Sequence, residues 1–184
     1  KKLSSKKSIL TLAKETIAIE SLAISKLANF IDDTFAEAVD LIFNSKGRVI
    51  ITGIGKSAII ANKIVATLNS TGTPSVFMHA ADAIHGDLGL ILPDDIVICI
   101  SKSGNTPEIK ALIPFLKNTG NPLIAITGNP KSMLADQANF VFNSYVEKEA
   151  CPINLAPTTS TTAQLVIGDA LAVCLLELRG FTKD

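Results

Sequence analysis

Four short apolar runs, at 49–52, 75–78, 96–100 and 123–127, constrain the fold of this chain more than any other feature of its sequence. They lack the apolar–polar alternation of a half-wetted strand and suit strands buried on both faces. A further run at 140–142 adds a fifth. Patterns with helical spacing lie between and after them, at 56–68, 109–117 and about 159–179. Such β-α-β-α alternation predicts a parallel sheet with helices on both faces. The expected fold is therefore α/β, a three-layer α-β-α sandwich around a mostly parallel five-stranded sheet.

A chain of 184 residues with 47% hydrophobic and 18% charged residues suits one domain with an aliphatic core. Residues 9–45 read as helix with a break at Asp32-Asp33, where Asp caps a second helix. Leu10, Ala13, Ile17, Ile24 and Ile31 form one stripe, and Ile9, Ile19, Leu22 and Leu27 widen it beyond what one face needs. An N-terminal helical arm at about 1–45 is thus expected to pack on a second copy as well as on its own domain. A homo-oligomer, dimer or tetramer, follows.

Charge and cysteine usage exclude several classes. Lys plus Arg equal Asp plus Glu at 17 each, without a long run of one sign, so no broad field is present to hold nucleic acid or an anionic membrane. The longest uncharged stretch, 150–168, contains Pro152 and Pro157 and is not a continuous apolar span. Cys99, Cys151 and Cys174 are odd in number and lack a CxxC spacing, which argues for a reducing compartment. The apolar stretch after Ser8 is broken by Lys14 and Glu15 before a secretion signal is complete, so the expected location is the cytoplasm.

In open parallel sheets, ligands bind beyond the carboxyl ends of the strands. The first run ends in Thr52-Gly53-Ile54-Gly55-Lys56-Ser57-Ala58, where two glycines let backbone approach an anion and the next helix presents its N–H groups. A Walker A motif is excluded, because its first glycine would fall at Ile50. The dinucleotide pattern GxGxx[GA] is met, but the acidic residue expected after the second strand is missing, which argues against NAD. The third run leads into Ser101-Lys102-Ser103-Gly104-Asn105-Thr106, ahead of a helix that starts at Pro107. One hydroxyl would cap that helix; three with a glycine meet the donor demand of a phosphate. The candidate phosphate ligands are Gly55, Ser57, Ser101, Lys102, Ser103, Gly104, Asn105 and Thr106.

This pair of loops resembles the SIS (sugar isomerase) domain, a flavodoxin-like fold whose Ser/Thr-rich loop holds a sugar phosphate. Three further segments narrow the resemblance: Ser70-Thr71-Gly72-Thr73-Pro74-Ser75, Ala83-Ile84-His85-Gly86-Asp87-Leu88-Gly89, and 148–152 continuing through 155–162. Together they are similar to the D-arabinose 5-phosphate isomerase family. That resemblance implies interconversion of D-ribulose 5-phosphate and D-arabinose 5-phosphate through an enediolate, supplying the eight-carbon acid sugar Kdo for lipopolysaccharide or capsule. Two departures stand out. Asn105 occupies a position where many members have glutamate, and the sequence stops at Asp184, where members usually continue with a His-Pro-Gly-Gly segment and many add CBS domains. The expectation is a single SIS domain over 1–184 without CBS domains.

The resemblance assigns roles. Glu149, in the matching Glu-Ala-Cys-Pro segment, is the expected base, its pKa raised by burial. His85 opens the sugar ring or donates to the developing oxyanion. Lys56 stabilises the enediolate or the phosphate. Gly72, Thr73, His79 and His85 line the sugar pocket, some from a neighbouring subunit, and Thr159 and Ser160 join the phosphate ligands. No cofactor is called for. His79, Asp82 and His85 are spaced by three, which leaves an adventitious zinc at His79 open, although no required metal is expected. A sugar-phosphate sensor without turnover, or an isomerase of another ketose phosphate, is the competing reading.

Overall fold

Residues 6–180 are described by a computed structural model. The first five residues of the expected arm and the last four of the chain lie outside them. The sheet consists of β1 (Val49–Gly53), β2 (Ser75–His79), β3 (Ile96–Ile100), β4 (Leu123–Thr127) and β5 (Phe140–Asn143). They pair in the order β2-β1-β3-β4-β5, every pair parallel. Register is set at the amino ends, where Val49 stands opposite both Ser75 and Ile96.

Strand periodicity divides the core into two layers. Val49, Ile51, Ile96, Ile98, Ile100, Ile124 and Ile126 face α2 (Asp33–Asn44), α3 (Lys56–Ser70) and α7 (Thr159–Leu178). Ile50, Val97, Cys99, Leu123 and Ala125 face α5 (Pro107–Asn118), with Leu134 of α6 (Met133–Gln137) and Ala80 and Ala83 of α4 (Ala80–Ala83). Burying each of the Val, Leu and Ile side chains among them stabilises the fold by about 1.5–3 kcal/mol before entropy is subtracted. The continuous apolar runs are thus explained: both faces of each central strand are covered. The helices α4 and α6 were not expected, because four and five residues are too few to show a period.

The arm is α1 (Lys6–Leu27), followed by a 3-10 turn at Ala28–Phe30 and then α2, whose N-cap Asp32 accepts the Thr34 N–H at 3.0 Å. The break at Asp32-Asp33 therefore stands where the sequence indicates. On α1 only Leu27 is fully buried, while Ile9, Leu10, Ile17 and Leu22 are 55–69% exposed, so less of the arm rests on its own domain than its stripe suggests. Helix α7 is long and apolar enough to cross a membrane by length and composition. Here it lies against α3, α1 and α2, with Ile167, Leu171 and Leu175 in the core and Asp169 paired to Lys63 of α3.

The chain runs from β1 outward to β2, then returns to place β3 on the other side of β1. Connections after β1 and β3 consequently diverge, leaving a crevice at their carboxyl ends. Gly53 and Ile100, the last residues of the two strands, are register partners, so both candidate loops open into that crevice side by side.

Candidate active site

The loop after β1 turns at Gly55, whose φ of 59° and ψ of −127° are accessible only to glycine. That turn places Lys56 at the first position of α3 and directs the Ser57 hydroxyl at α7, where it donates to Gln164 Oε1 at 3.2 Å. After β3, Gly104 takes φ 63°, and a Cβ there would sit 2.1 Å from Ser132 Oγ. Within this loop the Ser101 hydroxyl accepts the Gly104 N–H at 3.1 Å and Ser103 accepts the Asn105 N–H at 3.2 Å. A hydroxyl that accepts a backbone N–H retains its own proton, so both serines remain donors toward an anion. Thr106 sits at the N-cap of α5 but makes no capping bond; its hydroxyl is buried without a hydrogen-bond partner.

Lys56, Ser57, Ser101, Lys102, Ser103 and Thr106 line one cleft of about 260 Å³, closed on its far side by Pro157 and by Ser160, Thr161 and Gln164 of α7. A larger hollow of about 470 Å³ lies between α1 and 145–148, lined by Ile19, Leu22, Phe30 and Tyr145 among others. We place the chemistry in the smaller cleft, because the hydroxyls and ammonium groups converge there.

Glu149 stands behind the cleft wall. Its backbone N–H donates to Asn154 Oδ1 at 2.8 Å, and its carboxylate caps the start of α7. Oε2 accepts the N–H groups of Thr158 and Ser160 at 2.9 and 3.1 Å, and Oε1 accepts the Ser160 hydroxyl and, at 2.6 Å, the Lys102 ammonium. Burial by itself raises this pKa, but Lys102, the Ser160 hydroxyl and the two N–H groups together outweigh it and bring it down to about 2. The expected elevation by burial is therefore corrected: Glu149 is held as a carboxylate, and weakly basic.

Other expected ligands are placed elsewhere. Asn105 turns away, its Oδ1 accepting the Met133 N–H at 3.0 Å and so fixing the start of α6. Thr159 is buried, and its hydroxyl accepts the Ala150 N–H at 2.9 Å, holding the Glu149 segment against α7 rather than facing the cleft. Gly72 and Thr73 precede β2, at the opposite end of the sheet, where Thr73 Oγ1 accepts Arg179 Nε at 3.2 Å; within their own chain they do not line the cleft. His79 ends β2 with Nδ1 3.7 Å from Asp82 Oδ2. His85 is exposed beyond α4 and is not part of the cleft wall either. Among the described residues no three His, Cys, Asp or Glu side chains are grouped as metal ligands, so His79, Asp82 and His85 do not assemble a three-ligand set.

Gln164 escaped the sequence reading. It is 1% exposed, and its Nε2 has no hydrogen-bond partner. The available signal was a carboxamide one turn after Ser160 on the face of α7 that otherwise carries Ala163, Ile167 and Leu171.

A model of the SIS domain matches residues 41–174. The arabinose 5-phosphate isomerase KdsD of Pseudomonas aeruginosa is 52% identical over 172 residues, covering 94% of this chain and 53% of that protein. KdsD of Escherichia coli K12 is 52% identical over 171 residues, with 93% and 52% covered. The chain thus spans about half the length of the curated relatives it matches. Among solved structures, that of Escherichia coli CFT073 c3406 in complex with arabinose 5-phosphate has a TM-score of 0.93 and 41% identity, covering 98% of this chain and 96% of that one.

Proposed function

Because the chain belongs to the SIS domain family, we propose that it interconverts D-ribulose 5-phosphate and D-arabinose 5-phosphate. The observation that carries this reading is the convergence, in one cleft, of the Ser101 and Ser103 hydroxyls with Lys56, backed by an ionised carboxylate at Glu149. Binding a phosphate needs the hydroxyls; moving a carbon-bound proton needs the carboxylate as well. The 52% identity to the KdsD isomerases and the 41% identity to a protein solved with arabinose 5-phosphate support the choice of sugar.

In this reading the phosphate lies on 101–106, donated to by Ser101, Ser103, Thr106 and backbone N–H groups. Glu149 takes a proton from C1 of ribulose 5-phosphate, the C–H electron pair becomes the C1–C2 double bond of the enediolate, the O1 hydroxyl proton passes to O2, and the carboxylic acid, after exchanging its proton with solvent, delivers one to C2. Lys56 stabilises the negative oxygen formed in between. Gly72, Thr73, His79 and His85 lie outside the cleft of their own chain and are left to serve the cleft of a neighbouring copy. The exposed apolar face of α1 provides the contact for such a homo-oligomer. The setting is cytoplasmic, with the product directed to Kdo for lipopolysaccharide or capsule, and the partners are small sugar phosphates.

The test is to incubate the protein with ribulose 5-phosphate and, separately, with hexulose and heptulose phosphates in deuterated water. Arabinose 5-phosphate carrying deuterium at C2, formed from the pentulose at a kcat/KM at least tenfold above the others, supports the reading. Tight binding without exchange into any of them overturns it in favour of a sensor.

A further inference from the structure

The Glu149 side chain exposes 0% of its surface, and its carboxylate is paired with the ammonium of Lys102, whose side chain is 51% exposed. Oε2 is committed to α7 through the N–H groups of Thr158 and Ser160. Oε1 is shared between the Ser160 hydroxyl and Lys102 Nζ, and both of those residues line the cleft. A base must come within hydrogen-bond reach of the proton that it removes. The ammonium occupies that reach.

Lys102 also belongs to the phosphate loop, between Ser101 and Ser103. Its backbone is fixed, since its carbonyl accepts the Gly128 N–H at 3.0 Å, but its side chain is a flexible stem bearing a point charge. A phosphate monoester carries about −1.5 to −2 charges near neutral pH, against one on the carboxylate, and so competes with Glu149 for that ammonium. Among the described residues no other cation is within salt-bridge distance of Glu149: Lys56 lines the cleft, while Lys148 lines a separate depression together with Glu149, Cys151 and Glu15 of α1.

Building on the isomerase reading, we propose that Lys102 is a positioning residue that covers the Glu149 carboxylate and turns to the phosphate of an arriving sugar, uncovering Oε1 for the carbon-bound proton. Loss of the ammonium also restores basicity to a carboxylate otherwise held near 2. Substrate thus exposes and strengthens its own base, and without substrate that base stays covered.

The first test is a crystal structure with inorganic phosphate, alongside one with arabinose 5-phosphate. Lys102 Nζ moved beyond about 4 Å from Glu149 and hydrogen-bonded to phosphate supports the proposal. Phosphate bound on 101–106 with the ion pair intact overturns it, even if the protein isomerises ribulose 5-phosphate. The transfer seen with inorganic phosphate, in a protein that turns over no ketose phosphate, leaves the proposal standing in its binding step and overturns the isomerase reading. Phosphate that does not bind the loop overturns both. The second test is kinetic. Lys102→Met should raise KM at least tenfold, with a smaller effect on kcat, and should move the acid limb of kcat/KM upward by at least one pH unit, as the carboxylate loses its partner. Lys102→Arg should restore KM to within threefold of wild type. A fall confined to kcat, or an acid limb that does not move in a folded Lys102→Met protein, counts against the transfer.

Discussion

Arg48 Nη2 lies 2.7 Å from Asp95 Oδ2, and the Asp95 carboxylate also accepts the backbone N–H of Arg48, so one buried side chain clamps the start of β1 to the start of β3. Burial raises the Asp95 pKa, but the Arg48 side chain and the N–H groups of Leu92 and Arg48 more than offset it, and the net direction is down. A folded-state pKa below the unfolded one means stabilisation that is full above about pH 4 and lost as pH falls through the folded value. Asp95→Ala should cost about 3 kcal/mol in urea unfolding at pH 7, since it leaves two N–H groups and a guanidinium without their acceptor. The gap to wild type should narrow in acid below pH ~4. A gap constant down to pH 3 would show that the clamp is not ionic.

Replacing both Ser101 and Ser103 with alanine should weaken phosphate binding. Each lost donor to a charged group is worth about 1.5–3 kcal/mol, so the pair should cost at least about a hundredfold in affinity for arabinose 5-phosphate. Titration calorimetry gives the number directly. Unchanged affinity would move the phosphate off this loop.

Glu149→Gln should lower the rate of C1 proton exchange by about 10²- to 10⁴-fold while phosphate affinity is kept or rises, because Lys102 no longer has a carboxylate to leave. The amide retains one acceptor oxygen for the start of α7, so the helix remains capped in part. Glu149→Ala, which removes every acceptor, should add a loss of about 1–2 kcal/mol in stability. Wild-type exchange in a folded Glu149→Gln protein would assign the base to another group.

A Cβ at Gly168 would sit 2.3 Å from Ile64 Cδ1 and 2.5 Å from Cγ1, so α3 and α7 approach each other only because that side chain is missing. Gly168→Ala should destabilise by about 1–3 kcal/mol despite the better helix propensity of alanine, and Ile64→Val should recover part of the loss. A thermal melt of the two single variants and the double variant checks both statements.

Much of the fold was legible because its signals are local. The five apolar runs coincide with the strands to within one residue, and Asp32 caps α2 where an acidic residue breaks the helical pattern. The loops 53–58 and 101–106 were legible as walls of one cleft, since strands buried on both faces that end side by side bring their loops together. What the sequence did not disclose was direction. Nothing local shows that Asn105 turns toward Met133, that Gly72 and Thr73 stand at the far end of the sheet, or that Lys102 lies on Glu149 across 47 positions of chain. The pKa of Glu149 reversed for the same reason: burial was readable from its neighbours, whereas the ammonium and the N–H groups of α7 arrive only on folding.

The three cysteines should separate by reactivity. Burial pushes the Cys99 thiol up to about 12, inside the sheet layer. Cys151 is lowered by the N–H groups of Ala156, Leu155 and Ile153. Native protein treated with iodoacetamide at about pH 7.5 should label Cys151 first and leave Cys99 unmodified until denaturant is added, as read by mass spectrometry. Early labelling of Cys99 would mean that β3 opens locally.

The cleft draws its walls from 53–58, 101–106 and the first turns of α7, segments brought together only when β1 and β3 are paired and α7 is laid across them. On the proposed function, a sugar phosphate binds the folded state alone, because the walls of the cleft come together only in this assembly. Ligand then acts as a global stabiliser: at a hundred times its dissociation constant it adds about 2.7 kcal/mol to the unfolding free energy. Amides in the central strands, far from any contact with the sugar, should exchange with solvent about a hundredfold more slowly in its presence wherever exchange requires the whole domain to open.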